Sequence, residues 1–452
     1  MKTTTFENFH LKNIWLGFNF RIPMLLKNSS LLFLFFLIGS LSYGQLIIDA
    51  EYRLRSELRD GYKSLSIDSL SPALITFQRT RLNFDYKHDK IHAYISVQDA
   101  RIWGENKWGT EDPGIGIHQA FIKYSISEQL AVKLGRQEII YDRNRLMGIK
   151  NWGNVPIVHD AAILQFNNED QTKADLVLAY NNDSDKIYES NYAVDMYKYL
   201  TVLRLYNKFS EELNLSFLTI IDGNQAIGNY KKVYARGTSG IFAEINIDNF
   251  MIDAMGYYQY GKSKAGIKIS SYFFHVKPTF MVNENLKIGL GIDYLSGDNA
   301  LDNNNKDNAF STVFGDGHGF YGYMDYFTNI PTHTNRGGLN DIYLQADYKL
   351  SPKLSLTGAI HNFRLTNNIL DVGSTPINPT AAKKQLGIEL DAVLAYKFYP
   401  NSTLTVGYSA MMAQKSMELI KIGSSKGVQN WLFVAVIFKP ELFRSINKET
   451  PK

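Results

Sequence analysis

The 452-residue chain contains no cysteine, so it has no disulfide framework, as suits an exported protein that does without one. Beyond its N-terminal stretch it has no apolar run near the ~20 residues that a membrane-spanning helix needs. Its charge is nearly balanced: a formal +4 and an isoelectric point near 8.7 are too mild to name a partner. It has no HExxH, no GxSxG, no histidine-rich tract, no phosphate-binding loop and no basic run suited to nucleic acid. The close His/Asp pairs, His159-Asp160 and Asp316-Gly317-His318, come with no positioned serine and read as a strand start and a loop. No catalytic residue, metal site or cofactor is therefore expected, and nucleic acid is excluded as a partner. No Pro/Gly/Ser-rich linker and no shift of composition follow residue 45, which leaves one large domain over residues 45–452.

The N-terminal exception reads as an export signal. Lys27 gives a basic start, residues 31–41 an apolar core, and Ser42-Tyr43-Gly44 a small-x-small cleavage site. Residues 1–44 are thus expected to form the signal region, with Met24 as the true start and Gln45 as the first mature residue. The core is short for a membrane anchor.

What the rest of the chain has is alternation. A mean hydropathy of -0.21 is too polar for a helical membrane protein, yet 13% of residues are aromatic. Both fit a barrel whose alternate residues face water and lipid. Over residues 45–59, Glu51, Arg53, Arg55, Glu57 and Arg59 share one face while Tyr52, Leu54 and Leu58 share the other. The next strand sets Arg79, Arg81, Asn83 and Asp85 against Leu82, Phe84 and Tyr86, and a third keeps Ile91, Ala93, Ile95 and Val97 in register. Further strands are predicted over residues 115–126, 129–141, 157–166, 172–180, 197–209, 211–221, 231–247, 249–260, 271–282, 285–296, 338–350, 353–365, 383–398, 402–414 and 427–438. Tight polar turns fall at His88-Asp89, Ser127-Glu128, residues 167–170, Ser210-Glu211, Asp248-Asn249, Asn283-Glu284, Ser351-Pro352 and Pro400-Asn401. These eight turns, alternating with nine longer loops, separate eighteen strands.

The expected fold is therefore all-β: a transmembrane antiparallel barrel of about 18 strands in the outer membrane of a Gram-negative bacterium, with lipid around it. Short turns would be periplasmic, long loops extracellular, and a barrel of this size should enclose an aqueous lumen. One register is faulty: Leu130, Val132 and Leu134 are followed on the same face by Arg136, so a bulge or the end of the apolar band falls near Gly135. Tyrosines near strand ends, among them Tyr94, Tyr124, Tyr141, Tyr206, Tyr257, Tyr258 and Tyr396, are expected in interfacial girdles, a lumen-facing minority offering platforms for sugars.

Nine of the fourteen arginines after the leader lie between positions 53 and 145. Guanidinium is always charged and meets a carboxylate through two parallel hydrogen bonds, so an arginine ladder in a pore suits a carboxylated, chain-like solute. Over residues 51–145, however, fifteen Lys or Arg face thirteen Asp or Glu, and cross-strand pairing would account for them equally well. In the longest loop, over residues 297–337, the aromatic run of His318, Phe320, Tyr321, Tyr323 and Tyr326 is too apolar to stand in water; a lid or constriction at the barrel mouth is expected there. The DNNNKDN stretch before it lacks the closing glutamate of a calcium loop and has Lys306 where an acceptor is wanted.

The run LGRQEIIYDRNRLMGIKNWGNVPIVHDAA over residues 134–162, with RTRLNFDY from Arg79 and HGFYGYMDYF from His318, resembles the outer-membrane alginate-export family. That resemblance implies an eighteen-stranded barrel passing an anionic polyuronate through an arginine-lined lumen gated by long loops. It carries lumen anion-binding roles onto Arg79, Arg81, Arg136, Arg143 and Arg145, with Asp142 beside them. Alternation alone turns Arg53, Arg55, Arg79 and Arg81 inward. The solute would be an anionic saccharide or small carboxylated molecule, and exporting a polymer would call for periplasmic partners to feed it. The rival readings are a general small-solute porin and a structural or adhesive barrel with a plugged lumen.

Overall fold

The computed structural model describes residues 44–445, apart from 107–113, 170, 193–195 and 303–304. The signal region expected before Gln45 lies outside these residues, save Gly44. The strands are β1 (Gln45–Asp60), β2 (Ala73–His88), β3 (Ile91–Ile102), β4 (Ile115–Ser125), β5 (Leu130–Gln137), β6 (His159–Asn168) and β7 (Thr172–Tyr180). Then come β8 (Tyr199–Lys208), β9 (Leu213–Ala226), β10 (Asn229–Ile247), β11 (Phe250–Lys262), β12 (Lys268–Met281), β13 (Leu286–Leu295) and the short β14 (Lys306–Asp307). The last are β15 (Leu339–Ser351), β16 (Leu354–Arg364), β17 (Gln385–Tyr399), β18 (Ser402–Ala413), β19 (Gln429–Phe438) and the short β20 (Glu441–Arg444). Leaving out β14 and β20, eighteen staves pair antiparallel, each with its neighbour in sequence, and β1 closes on β19.

The polar pairs turn the chain for a local reason. Asp89, Asp248 and Asn401 sit in the left-handed region at φ 48°, 49° and 57°, which short polar side chains tolerate because they bond nearby backbone. All eight expected tight turns are present at one end of the barrel. At the other end the pattern is looser than expected. β9 and β10 are joined by only residues 227–228, because this hairpin prolongs its strands where a loop was anticipated.

Closure leaves no long open edge, which in lipid would cost several kcal/mol per unpaired group. Residues 52–60 of β1 pair with residues 430–438 of β19. The chain beyond β19 continues this seam: Pro440 lacks an N–H, yet its carbonyl accepts from Ala50 N–H (3.0 Å), and β20 pairs with Ile47, Ile48 and Asp49. Outward positions carry exposed Leu58, Leu82, Ile95, Ile122, Leu164, Leu344 and Val434, the apolar belt that lipid covers. Inward positions of the first strand are the buried Glu51, Arg53, Arg55 and Glu57.

The expectation of an aqueous lumen throughout is corrected. Residues 138–158 and 308–334 turn back inside the barrel, and Met147, Phe310, Met324, Phe327 and Ile330 pack there against Phe273, Leu295, Leu339, Phe363 and Trp431 of the walls. Eighteen staves enclose more space than wall side chains fill, and the loops bring the apolar residues that fill its loop-side half. Among the tyrosines, Tyr124, Tyr258 and Tyr396 are exposed outside, but Tyr141 and Tyr257 are buried inside and Tyr206 lies beneath the Arg204 guanidinium in the lumen.

Candidate functional site

Alternation puts Arg53 and Arg55 of β1 and Arg79 and Arg81 of β2 on the inner wall, and the register sets Arg53 directly opposite Arg79. Like charges so placed repel, so each needs a partner. Arg79 Nε donates to Glu51 Oε1 (2.9 Å) and Arg55 Nε to Glu57 Oε1 (2.7 Å). The remaining donors grip the inserted loop by its backbone. Arg53 reaches Asn151 O (2.7 Å) and Gly153 O (2.8 Å), Arg55 Nη1 reaches Trp152 O (2.5 Å), and the Arg55 guanidinium lies 3.9 Å from the Trp152 ring centre. Arg81 differs: Nε donates to Gln98 Oε1 (2.7 Å), while its buried Nη2 has no hydrogen-bond partner.

The same loop carries Arg143 and Arg145 into the lumen. Asp142, Arg143 and Asn144 are all left-handed, at φ 43°, 60° and 63°, and each costs about 1–2 kcal/mol for an L-residue. Ion pairs to separate staves hold this strained turn: Asp142 with Arg204 (3.1 Å), Arg143 with Glu244 (2.5 Å) and Arg145 with Asp293 (3.2 Å). Arg145 also lies 3.7 Å from the Phe320 ring centre. Burial alone would lower the Arg145 pKa, but Asp293 and the neighbouring tyrosines raise it above the ordinary value.

Arg136 is a correction. It lies on the outer face with Leu134, 46% exposed and 3.6 Å from Asp160, itself exposed. No register shift occurs along β5, so the apolar band ends here and no bulge intervenes. Its place in the lumen was implied by resemblance alone; the strand's own parity points it outward.

The aromatic run enters the lumen. His318 Nδ1 donates to the Asp325 carboxylate at Oδ1 (2.7 Å), and the ring stacks 4.1 Å from Trp152 and 5.4 Å from Tyr323. Burial would raise the Asp325 carboxyl, but His318, Tyr62 and Lys63 outweigh it and hold it below the ordinary range. Phe320 covers Arg145, Tyr321 is buried beside it, and the Tyr326 hydroxyl donates to Gly61 O. Met324 N–H donates to Glu389 Oε1 (2.8 Å) and Tyr323 N–H to Asp391 Oδ2 (3.4 Å).

That last pair belongs to a set the sequence reading missed. Asp293, Asp341, Glu389 and Asp391 form a buried acidic wall on β13, β15 and β17. The basic wall thus holds loop carbonyls and the acidic wall holds loop N–H groups. The signal was the same period-2 alternation, present at Glu389 and Asp391 but not followed there. Gly322, at φ 78°, lets the loop approach: a Cβ there would come 2.4 Å from Glu389 Oε1. On the tight-turn side of the loops lie two cavities of about 330 and 450 Å³, both lined by Arg143.

Closed staves, an apolar belt outside and charged walls inside define an outer-membrane channel. Among solved structures, OccAB1 of Acinetobacter baumannii is similar over 90% of this chain and 98% of its own, with TM-score 0.59 and 13% identity. OccK3 (OpdO) of Pseudomonas aeruginosa is similar over 88% and 96%, with TM-score 0.58 and 11% identity; OpdL of the same organism covers 88% and 99% at TM-score 0.59 and 13% identity. At such identities the likeness is one of fold. No curated protein sequence matches the chain. The alginate export family model matches residues 47–413, and the chain belongs to that family. Its place is the outer membrane of a Gram-negative bacterium.

Proposed function

We propose that this channel passes an anionic saccharide, or another carboxylated solute, along the basic wall of its lumen. The observation that carries the reading is the grouping of Arg53, Arg55, Arg79 and Arg81 on the inner face of two adjacent strands. Neutral carbonyls of residues 151–153 occupy part of this donor array. A carboxylate makes the stronger, charge-assisted bond and would compete for the same donors. Several moderate contacts, as opposed to one deep pocket, let a solute leave again. Family membership supports a uronate polymer, whose export would require periplasmic partners. The internal pairs Arg55 with Glu57 and Arg79 with Glu51 favour the general-porin reading instead.

Uptake into proteoliposomes separates these. Swelling in isosmotic galacturonate should outpace swelling in galactose, and the advantage should fall in an Arg79→Ala/Arg81→Ala double variant. Equal rates for both sugars would support a general porin, and no swelling with folded protein a structural barrel.

A further inference from the structure

Beneath the aromatic loop, the tight-turn half of the lumen holds the cavity of about 450 Å³, within the roughly 300–1,000 Å³ of small-molecule sites. Its arginines, Arg143 and Arg145, are held by carboxylates. Its lysines are not. Lys277 Nζ donates to the neutral Gln345 Oε1 (2.9 Å). Asp347 stands opposite Lys287 in register, but its oxygens accept from Gln345 Nε2 (3.0 Å) and Thr357 Oγ1 (2.7 Å). Neither ammonium forms an ion pair among the described residues.

The wall between them is bare by construction. Gly289 and Gly291 occupy inward positions of β13; a Cβ on Gly289 would lie 2.9 Å from Lys277 Cε, and one on Gly291 would lie 2.0 Å from the Tyr343 ring. Two glycines thus make room for a lysine stem and a tyrosine ring over naked backbone. Phe320 and Tyr323, half-buried, line the same cavity from above, each with one neighbour already stacked on it, Arg145 and His318 respectively.

We propose that this hollow is a saccharide-carboxylate subsite on the tight-turn side of the inserted loops: Lys277 and Lys287 bind the carboxylate, and Phe320 and Tyr323 offer an apolar surface to the sugar ring. The proposal rests on the channel taking a carboxylated solute, and it assigns solute binding to lysines while the arginines hold the loops. Two cations lining one hollow, whose Asp253 and Asp293 pair with Arg143 and Arg145, stand beside an aromatic roof; they suit a uronate, which has one charged edge and one apolar face, and do not suit a neutral hexose equally.

The test is sided block of single-channel current by trigalacturonate, with maltotriose as the neutral probe. Orientation is fixed by an Ile377→Cys label on the loop side, clean because the chain has no other cysteine. Trigalacturonate added from the tight-turn side should block at a concentration at least about tenfold below that needed from the loop side. In Lys277→Met/Lys287→Met the half-blocking concentration from the tight-turn side should rise about tenfold or more, a loss of about 1.4 kcal/mol or more of binding. Lys277→Arg/Lys287→Arg should restore the block. Where the double methionine variant loses heat-modifiable migration, each single variant decides, with a several-fold rise expected. Block that is unchanged in these variants, or equal with maltotriose, overturns the subsite while leaving the channel reading to its own swelling assay. Absence of block from either side overturns the subsite too, and joined to equal swelling in the two sugars it overturns both.

Discussion

Releasing residues 151–154 from the basic wall is the sharpest perturbation available. In Arg53→Gln/Arg55→Gln the loop loses the bonds from Arg53 to Asn151 O and Gly153 O, the bond from Arg55 to Trp152 O, and the Arg55 guanidinium 3.9 Å from the Trp152 ring. Three bonds from a charged donor are each worth about 1.5–3 kcal/mol, and a partly desolvated cation–π contact about 1–2 kcal/mol. Glutamine recovers part of this, and released carbonyls regain water. A net loss of about 3 kcal/mol is reasonable, which is about a hundredfold in the docked-to-undocked ratio of the loop. Hydrogen exchange reads that ratio directly: amides of residues 148–157 should lose about two decades of protection while those of the β1/β19 seam keep theirs. Single-channel currents should show more frequent large-conductance excursions. Unchanged protection of the loop, with unchanged conductance, would refute the claim that the arginines hold it.

Other consequences are simpler to check. Gly322→Val puts a side chain where Glu389 lies 2.4 Å from the Cβ position, at a backbone φ of 78° that valine resists; the aromatic loop should leave the acidic wall, seen as lost quenching or a red shift of Trp152 fluorescence, while the barrel remains heat-modifiable. His333, in the single helical turn of that loop, has its pKa pushed down to about 4 by burial and by Lys421 and Lys63, with Asp325 opposing. A neutral, half-buried histidine whose free pKa is about 6.5 stabilises loop docking above that pH. The contribution is lost as pH falls from about 6.5 toward 4, so protection of residues 329–336 should drop over this window in the wild type and not in His333→Gln.

Local rules made much of the barrel readable. Period-2 alternation assigned Arg53, Arg55, Arg79 and Arg81 to the inner face without any knowledge of their partners, and left-handed Asp and Asn marked the turns. Arg136 shows the cost of setting parity aside: β5 keeps its register to Gln137, and the outward position of Leu134 fixes that of Arg136 two residues on. The aromatic run from His318 was legible as too apolar for water, but where it goes depends on Glu389 and Asp391, distant in sequence and met only after the barrel closes. The pairing of arginines with backbone carbonyls was invisible for the same reason, since no sequence pattern marks a carbonyl as a ligand. Lys277 and Lys287 read as ordinary wall residues until it can be seen that neither forms an ion pair among the described residues.

The central claim is that charge on the lumen wall selects a carboxylated solute, and the reversal potential across a planar bilayer under a potassium galacturonate gradient tests it most directly. The account predicts a potential of the sign set by galacturonate permeating faster than potassium, moving toward zero in Arg79→Ala/Arg81→Ala. A folded, conducting preparation that prefers potassium, or whose potential ignores that double variant, would contradict it.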